Sequence, residues 1–379
     1  MSNGNISRRA NIFPFPPYLN YYEIIKKKEI EGKRIYNLFK MRYHYNYPEF
    51  KEEIDEEKLI EIFRNFFNIP NDFKIIVFPG TISALSTIFF TLFDTNDEVL
   101  VPEPVHPLLM ISSEISQVRL KIIKTYYYNN FSIPLRDFIE PLINPRVKGF
   151  FIFNPQFFSG NVYSDEEIER IVFFSNTYKI PLIFDETFSF STFKDVFFNS
   201  ISKLRINHNY KFLVNRIVES YSGINLTFIA TTIPLYVIIK RYRDVLFPVD
   251  SLLINSAYSF LTKFFNTINN VRQKIFENAD YIYKTLLSKD ISVIKPHAGP
   301  CLIIKLPVKD TDKFIEYMLE VFEENGSSVF LMPMTEFFIE KEKGKELLTL
   351  NFSNIEKIEV EEGMRLLKSG INNYLKEVL

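Results

Sequence analysis

The chain of 379 residues has no tryptophan, a single cysteine and only 11 glycines. One thiol, Cys301, excludes an internal disulfide framework and fits a reducing compartment, so the expected location is cytoplasmic. Four histidines (His44, His106, His208 and His297) are scattered along the chain. With one cysteine they form no metal-ligand spacing, and no metal is expected. A formal net charge of −1 gives no electrostatic reason to expect nucleic acid or an anionic membrane as partner. No apolar run reaches about 20 residues, so no membrane-spanning helix is expected. The opening Met1-Ser2-Asn3-Gly4 carries no apolar h-region, and no secretory leader is expected. Phosphate-binding P-loop, zincin and serine-elbow motifs are missing as well.

What is present is apolar and aromatic. Hydrophobic residues make up 46 % of the chain, including 40 phenylalanines and 21 tyrosines, which is enough for a large core and two domains. A Pro-, Tyr- and Asn-rich arm occupies residues 1–48, and Phe13-Pro14-Phe15-Pro16-Pro17 within it cannot be helix interior. A large domain is expected over 49–262. A smaller one, with the interdomain helix, is expected over 263–379. From Lys74 onward, apolar strands alternate with helical patterns. The strands are expected at Lys74 to Phe78, Glu98 to Val101, Val118 to Lys124, Val147 to Phe153, Ile180 to Phe184, Lys211 to Val214 and Leu226 to Thr231. Ser164-Asp165-Glu166-Glu167 has the type and spacing of a capping box. Such alternation predicts an α/β fold with a mostly parallel sheet of seven strands, whose functional residues gather at the strands' carboxyl ends. Gly80, Asn154 and Asp185 fall at such ends. Shorter strands and two helices after Ile291 predict a small α+β domain.

Several segments carry a resemblance. Gly80-Thr81-Ile82-Ser83 is a glycine-led turn into a helix. Asp97-Glu98-Val99-Leu100-Val101-Pro102-Glu103-Pro104 reads as a "DEVLVPEP" segment. Asn154-Pro155-Gln156-Phe157-Phe158-Ser159-Gly160 is similar to an "NPxNPTG" loop, and Asp185-Glu186-Thr187-Phe188 to a "DExY" strand end. Ser222-Gly223-Ile224-Asn225-Leu226 stands where a "GLRxG" turn would. In this order, over roughly residues 45–375, they resemble fold-type I pyridoxal-phosphate-dependent aminotransferases of class I/II. The resemblance implies pyridoxal phosphate as cofactor and a homodimer. Asp185 would hold the pyridine nitrogen, and Gly80 and Thr81 the phosphate. His106 would stack on the ring, Asn154 would open the cofactor loop, and Tyr47 would reach a partner's phosphate.

The chain departs from that pattern where the chemistry lies. The Schiff-base lysine should fall near Arg216 and Ile217, yet no lysine occurs between Lys211 and Lys240. A guanidinium remains a cation and is a poor nucleophile, so Arg216 can hold an anion but cannot replace the imine-forming amine. Phe157 and Phe188 replace an amide and a phenol that bond the cofactor's ring oxygen. Asn225 replaces a phosphate-binding arginine. Thr349 stands where an arginine fork would clamp a substrate carboxylate. Arg365 reads as a solvated helix charge. Two functions follow. The first is an aminotransferase-like protein without ordinary transaminase activity, serving a ligand-binding, regulatory or assembly role with an amino acid or anionic small molecule. The second is an active pyridoxal-phosphate enzyme with a displaced lysine, for which Lys203 and Lys211 are the nearest upstream candidates. The expected cleft has Asp185 at its floor, with Gly80-Thr81 and Arg216 within reach of one another.

Overall fold

The computed structural model describes residues 18–39, 54–134, 144–206, 210–353 and 355–378. Within the segment expected to be an arm, residues 18–39 form a helix, Tyr18–Ile30, and strand β1 (Arg34–Asn37). The large sheet then follows with β2 (Phe73–Phe78), β3 (Glu98–Pro102), β4 (Arg119–Ile123), β5 (Val147–Phe153), β6 (Leu182–Asp185), β7 (Lys211–Asn215) and β8 (Thr227–Thr232). Its spatial order is β2-β8-β7-β6-β5-β3-β4. The strands from β7 across to β4 pair in parallel, and β8 runs antiparallel to both of its neighbours.

The strands read as continuous apolar runs because both faces of the sheet are covered. Successive side chains point to opposite faces. In β5, Phe150 and Ile152 join one apolar cluster, while Phe151 and Phe153 join the other. Local signals set the helix ends. Asp55 caps Glu56–Phe67 by accepting from the Lys58 N–H. Ser164 and Glu167 form the expected capping box ahead of Asp165–Tyr178.

Asp250 caps a helix of 36 residues, Ser251–Leu286, which runs across the 262/263 division drawn from the sequence. Beyond it lie β9 (Ser292–Val293), β10 (Cys301–Lys305), β11 (Ser327–Phe330), β12 (Met332–Pro333) and β13 (Leu347–Asn351). Strands β12-β13-β10-β9 form a four-stranded antiparallel sheet, and β11 pairs in parallel with β1. The N-terminal segment therefore joins the C-terminal third through hydrogen bonds that lie far apart in sequence. No single described helix is long and apolar enough to cross a membrane.

Segment 339–343 is fastened to the end of β3. Glu103, 1 % exposed, accepts from the Ile339 N–H at 3.0 Å and pairs with Lys343 Nζ at 2.9 Å. A buried carboxylate that loses its counter-ion keeps its desolvation cost. Lys343→Met is therefore expected to destabilise the fold by about 3 kcal/mol. Urea denaturation checks this, and an unchanged midpoint would contradict it.

Candidate functional site

Strand β6 ends at Asp185, opposite Val214 of β7, so the two strands deliver Asp185 and Arg216 to the same sheet edge. Arg216 Nε donates to Asp185 Oδ2 at 2.8 Å, with both side chains almost fully buried. Thr187 braces the pair. Its N–H and hydroxyl donate to Asp185 Oδ1, and its oxygen accepts from the Arg216 N–H at 2.9 Å. Arg216 Cζ lies 5.5 Å from the centre of the Phe157 ring. Arg216 Nη2 is buried and has no hydrogen-bond partner among the described residues.

A short helix, Ile217–Ser222, starts at Arg216. Asn215 Oδ1 accepts the Ile217 N–H at 3.0 Å and sets this start. Residues three apart share a helix side, so Glu219 lies on the side of the helix from which Arg216 extends. Its Oε2 accepts from the Thr81 N–H at 3.0 Å, the Thr81 hydroxyl at 2.5 Å and the Thr227 hydroxyl at 3.3 Å. Thr81 opens the helix Thr81–Leu92, so an internal carboxylate caps that helix N-terminus. Gly80 before it has φ +93° and ψ 167°, a region open essentially only to glycine. The Asn225 side chain closes over Gly80. A Cβ built there would lie 2.1 Å from Asn225 Oδ1.

These residues border a cavity of about 350 Å³. Gly80, Thr81, Arg216 and Glu219 line it, with Phe157, Phe188 and Pro300 as apolar wall. No lysine lines it among the described residues. Asp185 was expected at the cleft floor, but it lies behind Arg216 and is not part of the wall, because the guanidinium covers its carboxylate. His106 and Asn154 are likewise buried outside the lining. His106 caps the helix Pro107–Ser116, its Nδ1 accepting the Leu108 N–H at 3.1 Å, and its ring meets Phe157 edge-on at 4.5 Å. Burial, and then the Arg216 charge, hold this imidazole neutral well below its usual range. Asn154 Oδ1 accepts the Tyr163 N–H at 3.2 Å and closes the strand-end loop. Thr349 is buried on β13 and donates to the Leu302 carbonyl. Arg365 pairs on the surface with Glu324 and Glu362. Tyr47 lies outside the described residues. Glu219 and Thr187 had no part in the sequence-based site, although their spacings from Arg216 and Asp185 were a usable signal.

Comparison with known proteins bears on this architecture. The profile of aminotransferase class I and II matches residues 13–223, more than half of the chain. The chain belongs to the class I and II aminotransferase family. It is 22 % identical over 275 residues to a probable N-acetyl-LL-diaminopimelate aminotransferase of Bacillus subtilis, a match covering 72 % of this chain and 68 % of that protein. Aspartate aminotransferase of Thermotoga maritima superposes with a TM-score of 0.78 at 18 % identity, covering 97 % of this chain and 100 % of that one. Alanine aminotransferase of Pyrococcus furiosus also gives a TM-score of 0.78, at 22 % identity and the same coverage. At these identities the structural likeness establishes the fold, an aminotransferase fold of type I, and leaves the chemistry to the residues.

A second carboxyl, next to Asp185 in the chain, is strongly perturbed by its surroundings. Glu186 is 2 % exposed and accepts from the Ser200 hydroxyl and the Ile201 N–H, both at 2.6 Å. Burial, reinforced by the Asp185 charge, pushes its carboxyl up to about 8, against the pull of those two bonds. The native state thus holds a proton that the unfolded chain releases near 4.5. Glu186 contributes its full stabilisation below that value and loses it progressively as pH rises through about 8. Glu186→Gln is expected to flatten the fall in stability between about pH 5 and pH 8. Thermal melts across that range decide it, and parallel profiles for the two proteins would contradict the assignment.

Proposed function

We propose that this family member has no ordinary transaminase activity and works as a homodimeric, small-molecule-binding protein with a regulatory or assembly role. The observation that carries this reading is the Glu219 carboxylate on Thr81, in the helix N-terminus that the family pattern gives to the cofactor phosphate. A phosphate dianion there would have to displace Glu219 and lie beside its charge. Asp185 is committed to Arg216, so a pyridine nitrogen would compete with a buried guanidinium for it. Pyridoxal phosphate does not fit these residues. A displaced lysine finds no support either. Lys211 stands at the far end of β7, its Nζ 4.7 Å from the Phe73 ring centre, and Lys203 is exposed.

The purified protein is expected to show no absorbance band at about 410–430 nm with added pyridoxal phosphate. Borohydride reduction followed by peptide mass spectrometry is expected to show no adduct confined to one lysine. A single-lysine pyridoxyl adduct would overturn the reading and favour an active aminotransferase.

The homodimer is supported by an exposed apolar surface on the helix Ile233–Leu246. Ile233, Val237, Ile238, Val245 and Leu246 are each at least 45 % exposed. Exposed large apolar side chains grouped on one helix suit a surface covered by a partner subunit. Light scattering at micromolar concentration is expected to give twice the 44.9 kDa chain mass. Val245→Asp is expected to reduce this to the monomer mass with an unchanged circular dichroism spectrum. A monomeric wild-type protein would exclude the dimer.

A further inference from the structure

The cavity is opposite in polarity to one that takes a phosphate-bearing ligand. Glu219 Oε2 is consumed by Thr81 and Thr227, while Oε1 has no hydrogen-bond partner among the described residues. Arg216, its Nε held by Asp185, lines the same cavity and is its one cationic side chain among the described residues. The formal charges of Asp185 and Arg216 cancel, which leaves the single negative charge of Glu219. No lysine or second arginine lines the cavity to offset it, among the described residues. Phe157, Phe188 and Pro300 supply an apolar wall.

The complement of this arrangement is a monocation with an acceptor at its far end. A primary ammonium is compact and carries three N–H donors, so it suits Glu219 Oε1. A hydroxyl or carbonyl oxygen suits the guanidinium of Arg216, which carries N–H donors and no acceptor. The methylene chain between them lies on the phenylalanine wall. A volume of about 350 Å³ restricts the guest to a small molecule, at the low end of the roughly 300–1,000 Å³ typical of ligand pockets.

We infer that this cavity binds a small primary amine bearing a hydrogen-bond acceptor at its other end, with the ammonium on Glu219 and the acceptor on Arg216. The inference rests on the reading that pyridoxal phosphate does not occupy the site. It goes further in naming the chemistry of the guest.

Calorimetric titration of the full-length protein tests it with amino alcohols from ethanolamine to 5-amino-1-pentanol. Diols of matching length and inorganic phosphate are the comparisons. At least one amino alcohol is expected to bind saturably, and its diol at least about tenfold more weakly, as a charge-assisted bond is lost. Glu219→Gln, with folding checked by circular dichroism, is expected to weaken the amine by about tenfold or more and to bind phosphate better than the wild type. Equal binding of amine and diol, unchanged amine affinity in the variant, or no amine binding at millimolar concentration would each overturn the inference. A failure of all amines with no pyridoxyl adduct would remove the amine site alone. A single-lysine adduct would remove the broader reading as well.

Discussion

The ion pair between Asp185 and Arg216 governs the site. Two opposite charges nearly sealed from water gain a strong mutual attraction, but each gives up a hydration shell worth several kcal/mol. Such a pair is tolerated only when further hydrogen bonds hold its geometry. Thr187 supplies them to both partners at once, binding the carboxylate with its N–H and hydroxyl and the arginine backbone with its oxygen. The guanidinium is thereby drawn over the end of β6, and the helix that begins at Arg216 is oriented with it. Glu219 follows, and its carboxylate reaches Thr81. Two internal ion contacts therefore share one short helix. Their residues, Arg216 and Glu219, stand three apart in the chain.

Electrostatics then sets what the cleft can hold. A cofactor with an anionic phosphate and a ring nitrogen needs a cationic or donor-rich cup and a free carboxylate. Here the cup contains a carboxylate, and the aspartate is already neutralised by an arginine. The phenylalanines at 157 and 188 give the cavity apolar surface. Their centres lie 5.5 Å apart, forming one continuous wall and not two facing plates. At the sheet edge and the glycine-led turn the polar groups bond one another.

Much of the fold was legible in local pattern. Apolar runs bounded by turn residues marked the seven strands, and the Ser164 capping box announced a helix start through its side-chain oxygen. Less visible were the elements whose stability is non-local. Helix Tyr18–Ile30 sits in a segment whose lysines and tyrosines show no clear apolar stripe. Strand Arg34–Asn37 exists because Ser327–Phe330 pairs with it. Composition alone could not announce such a partner almost three hundred residues away.

For the site, the sequence by itself determined the inventory: an aspartate at a strand end, an arginine and no lysine after the next strand, phenylalanines in two polar positions, and an asparagine after the glycine turn. These are identities, and no folding can change them. Tertiary structure alone decided which of these groups meet. It turned Arg216 onto Asp185, moved the aspartate off the cavity wall, and delivered Glu219 to Thr81 across 138 residues of chain. Such contacts depend on strand order and on the competition for buried hydrogen bonds. Both are settled only when the parallel strands assemble and bring the loops at their carboxyl ends together.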